Sequence, residues 1–247
     1  MAVGKNNLLS ADKLANRFMG TLQQCLKESQ EDAARRNVDE LTDEEDIWKL
    51  EQLQHINDHI KLRRHGPAIQ MDVMDQPAAS SKPFYSVDMV PTIQIGDDNY
   101  YVAKPIKGSS DAQIAWRRSF SLREKERLLT LDEDNGCRKQ VLRVLKVIRN
   151  RDSCLARLTS YHLKTVLFRM TDELNDETQW KNDRLAERLM DVIGQLDTEL
   201  SRGVMPNYFL PDVNLLDGMK PIAMNNVHGR LKNLKNSERK MMKLLKP

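Results

Sequence analysis

Aromatic residues are scarce in this chain: three Trp, five Tyr and five Phe make up 5% of its 247 residues. Set beside 40% apolar and 30% charged residues, that scarcity favours helices and argues against an all-β sandwich or barrel. Cysteine is scarcer still. Cys25, Cys137 and Cys154 lie far apart, too few for a disulfide framework and too few for a four-ligand zinc site without histidine. No run approaches the roughly 20 consecutive apolar residues of a membrane span. The opening MAVGKNNLLS lacks the apolar region of a signal peptide. These absences predict an intracellular, soluble protein; the compartment expected for it is the cytoplasm, with the nucleus as a second. Ten glycines and nine prolines are near average usage, so neither low complexity nor long disorder is expected. The length is room for one large domain or two small ones.

Net charge is small, 39 basic minus 36 acidic residues giving +3, but its placement is uneven. Residues 28–51 carry ten acids against three bases, whereas residues 104–164 carry fifteen bases against seven acids and residues 220–247 eight against one. A negatively charged ligand suits the second half.

Ser10 is placed as the N-cap of a helix over 11–29, where Leu14, Phe18, Leu22, Cys25 and Leu26 recur at helical spacing. Thr42 and Glu45 have the spacing of a capping box and predict a second helix over 43–64, stopped by Gly66-Pro67. AIQMDVM and FYSVDMVPTIQI then alternate as strands, with a hairpin across 75–83, and Pro91 places the second at a sheet edge or bulge. Beyond Lys107 the pattern is helical near 121–130, 137–150, 153–174, 180–202 and 227–245. No internal repeat is present. Two strands alone are not a stable sheet, so further strands are expected to pair with them.

Five blocks, in order and at matching spacing, resemble the cyclic GMP-AMP synthase and Mab-twenty-one superfamily of nucleotidyltransferases. They are Ser86-Val87-Asp88-Met89-Val90-Pro91; Trp116-Arg117-Arg118-Ser119-Phe120-Ser121 with Glu124-Lys125-Glu126; Cys137-Arg138-Lys139 through Lys146; Ser160-Tyr161-His162-Leu163-Lys164-Thr165; and Gln179-Trp180 followed by Asn207-Tyr208-Phe209-Leu210-Pro211 and Asn214-Leu215. The resemblance covers residues 8–217, the C-terminal two-thirds of the family pattern. It implies an α+β fold, a truncated nucleotidyltransferase core with a small residual β-sheet followed by an α-helical bundle lobe. The divisions expected are 1–107 for the partial core, 108–219 for the helical lobe and 220–247 for a basic C-terminal helix or tail.

The resemblance also implies an activity: an innate-immune nucleic-acid sensor that makes a cyclic dinucleotide from ATP and GTP with Mg²⁺ or Mn²⁺. Such chemistry needs carboxylates that hold two divalent ions at the triphosphate, and Asp88 matches the third of three. Arg117, Ser119 and Glu124 match positions that contact the acceptor base and its phosphates, where a guanidinium supplies paired donors. Lys146 matches the lysine that holds the donor triphosphate. Ser160 and Lys164, one helical turn apart, match phosphate contacts, and Tyr161 matches a residue that stacks on a base. Lys139 and Arg143 share a helix face with Lys146 and are candidates for double-stranded RNA or DNA, against the plainer reading of a solvated basic face. Trp116 and Phe120 are expected in the core, Arg118 and Arg123 in solvent, and His162 is expected to pack or cap locally.

Two departures qualify the resemblance. The family's His-and-Cys zinc insertion is replaced by the short stretch 128–136, leaving Cys137 alone, so no zinc is expected. The family's Gly-Ser turn and paired acids, which supply the other two metal carboxylates, have no counterpart before residue 8, and the chain alone is therefore expected to be inactive. Gly108-Ser109 and Asp132/Asp134 imitate those motifs in the wrong places. Two further readings stand beside the enzyme: a non-catalytic Mab-twenty-one-like module that binds a nucleotide or a protein, and a helical scaffold with a basic tail.

Overall fold

The computed structural model describes residues 9–35, 59–66, 68–74, 83–103 and 116–246. The chain divides into two compact units, Met1–Phe120 and Ser121–Pro247. Among the described residues they contain seven α-helices and two antiparallel three-stranded sheets.

In the first unit, helix α1 (Ala11–Arg35) opens as its sequence dictates, the Ser10 hydroxyl accepting the Lys13 N–H at 3.3 Å. Ala11 and Ala15 are buried, small enough to let the helix approach its neighbours. Strands β1 (Ile60–His65), β2 (Ala68–Met74) and β3 (Pro83–Met89) form one sheet in that order. Arg64 on β1 donates to Asp12 and Asn16 of α1, each at 2.6 Å. Strands β4 (Thr92–Ile95), β5 (Asn99–Val102) and β6 (Arg117–Ser119) form the other.

The helix expected over 43–64 is corrected at its end, because residues 60–64 belong to β1; its earlier part lies outside the described residues. In the sequence Ile47, Leu50, Leu53, Ile56 and Ile60 recur at helical spacing, but Ile60 and Leu62 also alternate, and pairing of Ile60 with Val73 and Leu62 with Met71 satisfies the backbone in a ladder. Gly66 then lies in a strand-to-strand turn, where a helix stop was expected: His65 pairs with Ala68, and Gly66 has φ +61°, a conformation that suits glycine, while Pro67 lies outside the described residues. The expected strand across FYSVDMVPTIQI is broken at Val90-Pro91, and its halves join different sheets, since proline cannot donate to a ladder. The antiparallel partnership of β2 with β3 agrees with the expected hairpin, whose turn lies outside the described residues.

The second unit is helical: α2 (Ser121–Thr130), α3 (Arg138–Arg151), α4 (Ser160–Glu173), α5 (Leu185–Arg202), α6 (Pro221–Lys235) and α7 (Glu238–Leu245). Val141, Leu142, Leu145 and Ile148 form the buried stripe of α3 and meet Leu163, Val166, Leu167 and Phe168 of α4 and Val192, Ile193, Leu196 and Leu200 of α5. Val227, Leu231 and Leu234 of α6 and Met241 of α7 complete the same core. Trp180 ties the loop after α4 into it. Its indole is fully buried under the Arg138 guanidinium, 5.0 Å from the ring centre, its N–H reaches Leu174 O at 3.2 Å, and its carbonyl accepts the Cys137 N–H at 2.7 Å.

Three expected helices are shorter or divided. The 153–174 segment turns as a 3-10 helix at Leu155–Arg157 and becomes α-helical only at Ser160, behind the Thr159 cap. The 180–202 segment begins its α-helix at Leu185 after two short 3-10 turns, and ends at Gly203, whose φ of +69° is a left-handed C-cap. The 227–245 segment is two helices, separated at Asn236 and Ser237, where Ser237 caps α7 by accepting the Lys240 N–H.

Candidate functional site

In the first unit, Asp88 is the next-to-last residue of β3 and exposed, opposite Gln70 of β2. Opposed residues share a sheet face and side chains alternate along a strand, so Asp88 lies on the face that carries Ser86, Asp72, Lys61 and Arg63. Asp72 is the buried member of that set, 2% exposed. The Ser86 hydroxyl donates to it at 2.5 Å and Arg63 forms an ion pair with it. The Ser86 hydrogen bond, foremost, with the Arg63 guanidinium and Lys61 beside it, outweighs the effect of burial and holds the Asp72 carboxyl below the usual range. Arg117 and Ser119 occupy alternate positions of β6, opposite Val102 and Tyr100 of β5. Trp116 and Phe120 are half-buried and not core as expected: the Trp116 indole donates to Leu9 O at 3.1 Å, and the Arg118 guanidinium lies 5.2 Å from the Phe120 ring.

In the second unit, three candidates come together from three helices. Glu124 in the first turn of α2 forms an ion pair with Lys164 of α4, their side chains 18% and 16% exposed. Lys146 of α3 is half-buried next to this pair. Burial pushes the Lys146 ammonium below the ordinary lysine value, the charges of Lys164 and Arg149 add to the shift, and Glu124 opposes it. One lysine thus pairs with the carboxylate, and the second lies within electrostatic reach of that pair. A group of phosphate-like charge would relieve both the burial and the like-charge cost.

Ser160 is the first residue of α4, half-buried, one turn before Lys164. The Tyr161 hydroxyl donates to Asn207 Oδ1 at 2.8 Å, and the same oxygen accepts the Phe209 N–H at 2.9 Å. His162 caps locally, as expected. Its Nδ1 accepts the Thr159 N–H at 3.0 Å while the Thr159 hydroxyl accepts the His162 N–H, and its other nitrogen lies 3.3 Å from Leu215 O. The neutral ring protonated at Nε2 satisfies both contacts, and burial pushes its pKa down. Lys139 is half-buried, its ammonium donating to Leu129 O at 3.0 Å. Arg143 is exposed and, among the described residues, its side chain has no ion pair or hydrogen bond. Arg123, expected in solvent, places its guanidinium 5.2 Å from the Phe209 ring.

The two imitations of catalytic motifs separate. Gly108-Ser109 lies outside the described residues. Asp132 accepts the N–H groups of Arg138 and Lys139 at 3.0 and 2.8 Å, and so caps α3 from the preceding turn. Burial raises the Asp134 carboxyl, but the hydrogen bond and charge of Arg138 outweigh it and hold that group low. Cys137 is buried with its thiol pushed up by desolvation, whereas Cys25 and Cys154 are exposed.

Among the described residues no three His, Cys, Asp or Glu side chains form a metal-holding group. Asp88 offers one carboxylate on its strand face. Mg²⁺ and Mn²⁺ favour about six oxygens, so these residues fit part of a ligand set and do not fit a complete one. Sequence patterns overlooked Asp72, Arg63 and Asn207 as neighbours of the candidate residues. The alternation in AIQMDVM puts Gln70 and Asp72 on one face, but only the register with β3 brings Asp88 to it.

The chain matches two adjoining domain families: residues 2–130 the Mab-21 protein nucleotidyltransferase domain, and residues 137–233 the Mab-21 protein HhH/H2TH-like domain. It is 33% identical over 199 residues to Cyclic GMP-AMP synthase-like receptor 3 of Stylophora pistillata, covering 77% of this chain and 57% of that relative. It is 32% identical over 137 residues to Mitochondrial dynamics protein MID51 of Danio rerio, covering 55% of this chain and 29% of the relative. For Mitochondrial dynamics protein MID49 of Xenopus laevis the figures are 34% over 113 residues, 45% of this chain and 24% of the relative. The chain therefore spans at most a little over half the length of these relatives. With its small antiparallel sheets, its helical second unit and both domain matches in order, the chain belongs to the Mab-21 family and has that family's α+β nucleotidyltransferase fold followed by its helical domain.

Proposed function

We propose that this protein works as a cyclic GMP-AMP synthase-like nucleotidyltransferase, taking ATP and GTP with Mg²⁺ or Mn²⁺ and sensing nucleic acid in the cytoplasm or nucleus. The observation that carries the reading is the meeting of Lys146 and Lys164 around Glu124, with Ser160 one turn away. Lys146, Lys164 and Ser160 supply the cations and hydroxyl that a triphosphate needs. Glu124, in the second unit, offers an acceptor suited to a purine edge; in the first unit, Arg117 and Ser119 by themselves are of the types that bind a purine edge or phosphate. Tyr161 offers an aromatic face for a base. Asp88 would supply one oxygen ligand to a divalent ion, which when bound neutralises triphosphate charge.

The test is thermal unfolding with ATP or GTP. A ligand at a hundredfold excess over its dissociation constant stabilises the protein by about 2.7 kcal/mol, and Lys146→Ala with Lys164→Ala should erase the rise in Tm. Unchanged melting with both nucleotides overturns the reading. Similarity to two proteins named for mitochondrial dynamics favours a second reading, a non-catalytic module that binds a nucleotide or protein. Cyclic dinucleotide formation that Asp88→Asn abolishes selects the enzyme. Triphosphate binding without product under every nucleic acid tried selects the module.

A further inference from the structure

We propose that the second unit has a separate ligand site, a cavity of about 780 Å³ at the start of α6, which takes a small phosphorylated molecule with an apolar body. Arg157, the last residue of a 3-10 turn, and Lys220, just before α6, are its cations. Leu215, Met219, Ile222 and Ala223 supply apolar lining. Glu124, Lys146, Ser160, Tyr161 and Lys164 are not among its lining residues. The inference is thus independent of the nucleotide reading.

Charge decides the class of ligand. The lining includes no Asp or Glu. The side chains of Arg157 and Lys220 have no ion pair or hydrogen bond among the described residues, whereas Arg138, Arg169 and Arg230 each bind a carboxylate. The nearby acids are engaged elsewhere. Asp152 accepts the Cys154 and Leu155 N–H groups and pairs with Arg230, and Asp217 accepts the side-chain amide of Asn214. Helix α6 adds to the positive potential, since it opens with Pro221, has no acid in its first turn and receives no side-chain cap from Lys220.

Shape and polarity narrow it further. The volume falls within the range of small-molecule sites, about 300–1,000 Å³. Ile222, a large apolar side chain 76% exposed, lies in the lining, where it would gain from contact with an apolar body. A bare phosphate would leave that wall unused. A duplex backbone presents a convex row of phosphates and would leave it unused too. An organic phosphate meets both cations and wall.

The experiment is calorimetric titration of the full chain with 1-naphthyl phosphate, 1-naphthol and inorganic phosphate, with flotation on vesicles of phosphatidic acid in phosphatidylcholine as a parallel arm. The phosphate ester should bind at least about tenfold tighter than either fragment. Arg157→Ala with Lys220→Ala, both at exposed positions, should weaken it by about tenfold or more. Ile222→Glu should weaken it as well, and Lys146→Ala should not. Retained binding to the soluble ester assigns free organic phosphates as ligands, and binding confined to phosphatidic acid vesicles assigns a lipid headgroup; either supports the site. The proposal is overturned if neither arm shows saturable binding, if the double substitution leaves the affinity unchanged, or if inorganic phosphate or duplex RNA competes as well as the ester does.

Discussion

Glu124 and Lys164, 40 residues apart in the chain, form an ion pair between α2 and α4. Each side chain is less than one-fifth exposed, so the pair is shielded from solvent more than a surface salt bridge. Lys164→Ala should lower triphosphate affinity by about tenfold, the scale of one charge-assisted contact, with Lys164→Arg retaining most of it. Glu124→Gln should change the preference between GTP and ATP more than the affinity for triphosphate. Equal losses for both nucleotides in Glu124→Gln would assign the carboxylate to holding Lys164 alone.

Lys146 gives a pH signature. Burial, followed by the charges of Lys164 and Arg149, lowers its pKa below 10.5. The folded state therefore binds this proton more weakly than the unfolded chain, and the charged lysine costs stability at neutral pH, a cost that disappears as pH rises above the unfolded value. A bound triphosphate restores the charge. Binding should consequently take up protons in alkaline solution, and affinity should fall as pH rises through the lowered pKa. Titrations in two buffers of different ionisation enthalpy measure the uptake. Lys146→Arg should bind without it, and buffer-independent enthalpies in the wild type would refute the assignment.

Asp72 and Ser86 should set an acid limit on the stability of the first unit. The Asp72 pKa is lowered from 3.8, by the Ser86 hydrogen bond first and then by Arg63, against the opposing effect of burial. Its stabilising contribution is present above the unfolded pKa and is lost as pH falls through the lowered folded value. Ser86→Ala should cost about 1 kcal/mol near neutral pH and move the acid unfolding midpoint upward. Circular dichroism during acid titration shows the shift, and an unchanged midpoint would mean that Arg63 suffices.

Arg143 and Lys139 share a helix face in sequence, but their environments differ. Arg143 is exposed and unpaired among the described residues, whereas Lys139 spends its ammonium on Leu129 O. Double-stranded RNA or DNA should bind in a salt-dependent way without sequence preference, and Arg143→Glu should reduce the slope of log affinity against log salt by about one contact. Lys139→Glu should instead lower Tm, because it removes a local hydrogen bond. If neither substitution alters the slope, this face is only solvated.

Local patterns revealed much of the architecture and less of the site. The helical spacing along α1, the helical pattern of α3, the Ser10 cap and the alternation of AIQMDVM depend on neighbours within a turn or two, where periodicity carries the information. The Thr159 and His162 cap is equally local. The fate of residues 60–64 was not legible this way, because Ile60 and Leu62 satisfy two periodicities and the ladder with β2 decides between them. The cap on α3 was hidden for a related reason. Asp132 stands six residues before Arg138, outside any cap spacing a local pattern contains.

The order of motif blocks, the charge asymmetry and the residue types at Asp88, Arg117, Ser119, Lys146, Ser160 and Lys164 were determined by the sequence itself, since side-chain chemistry and spacing along one helix or strand are local properties. Only the tertiary structure decided that Lys164 meets Glu124 beside Lys146, and that Asp72 shares a sheet face with Asp88. Electrostatic interaction depends on distance and burial. Both are set by how helices and strands pack and by strand register, which no spacing within a single element contains.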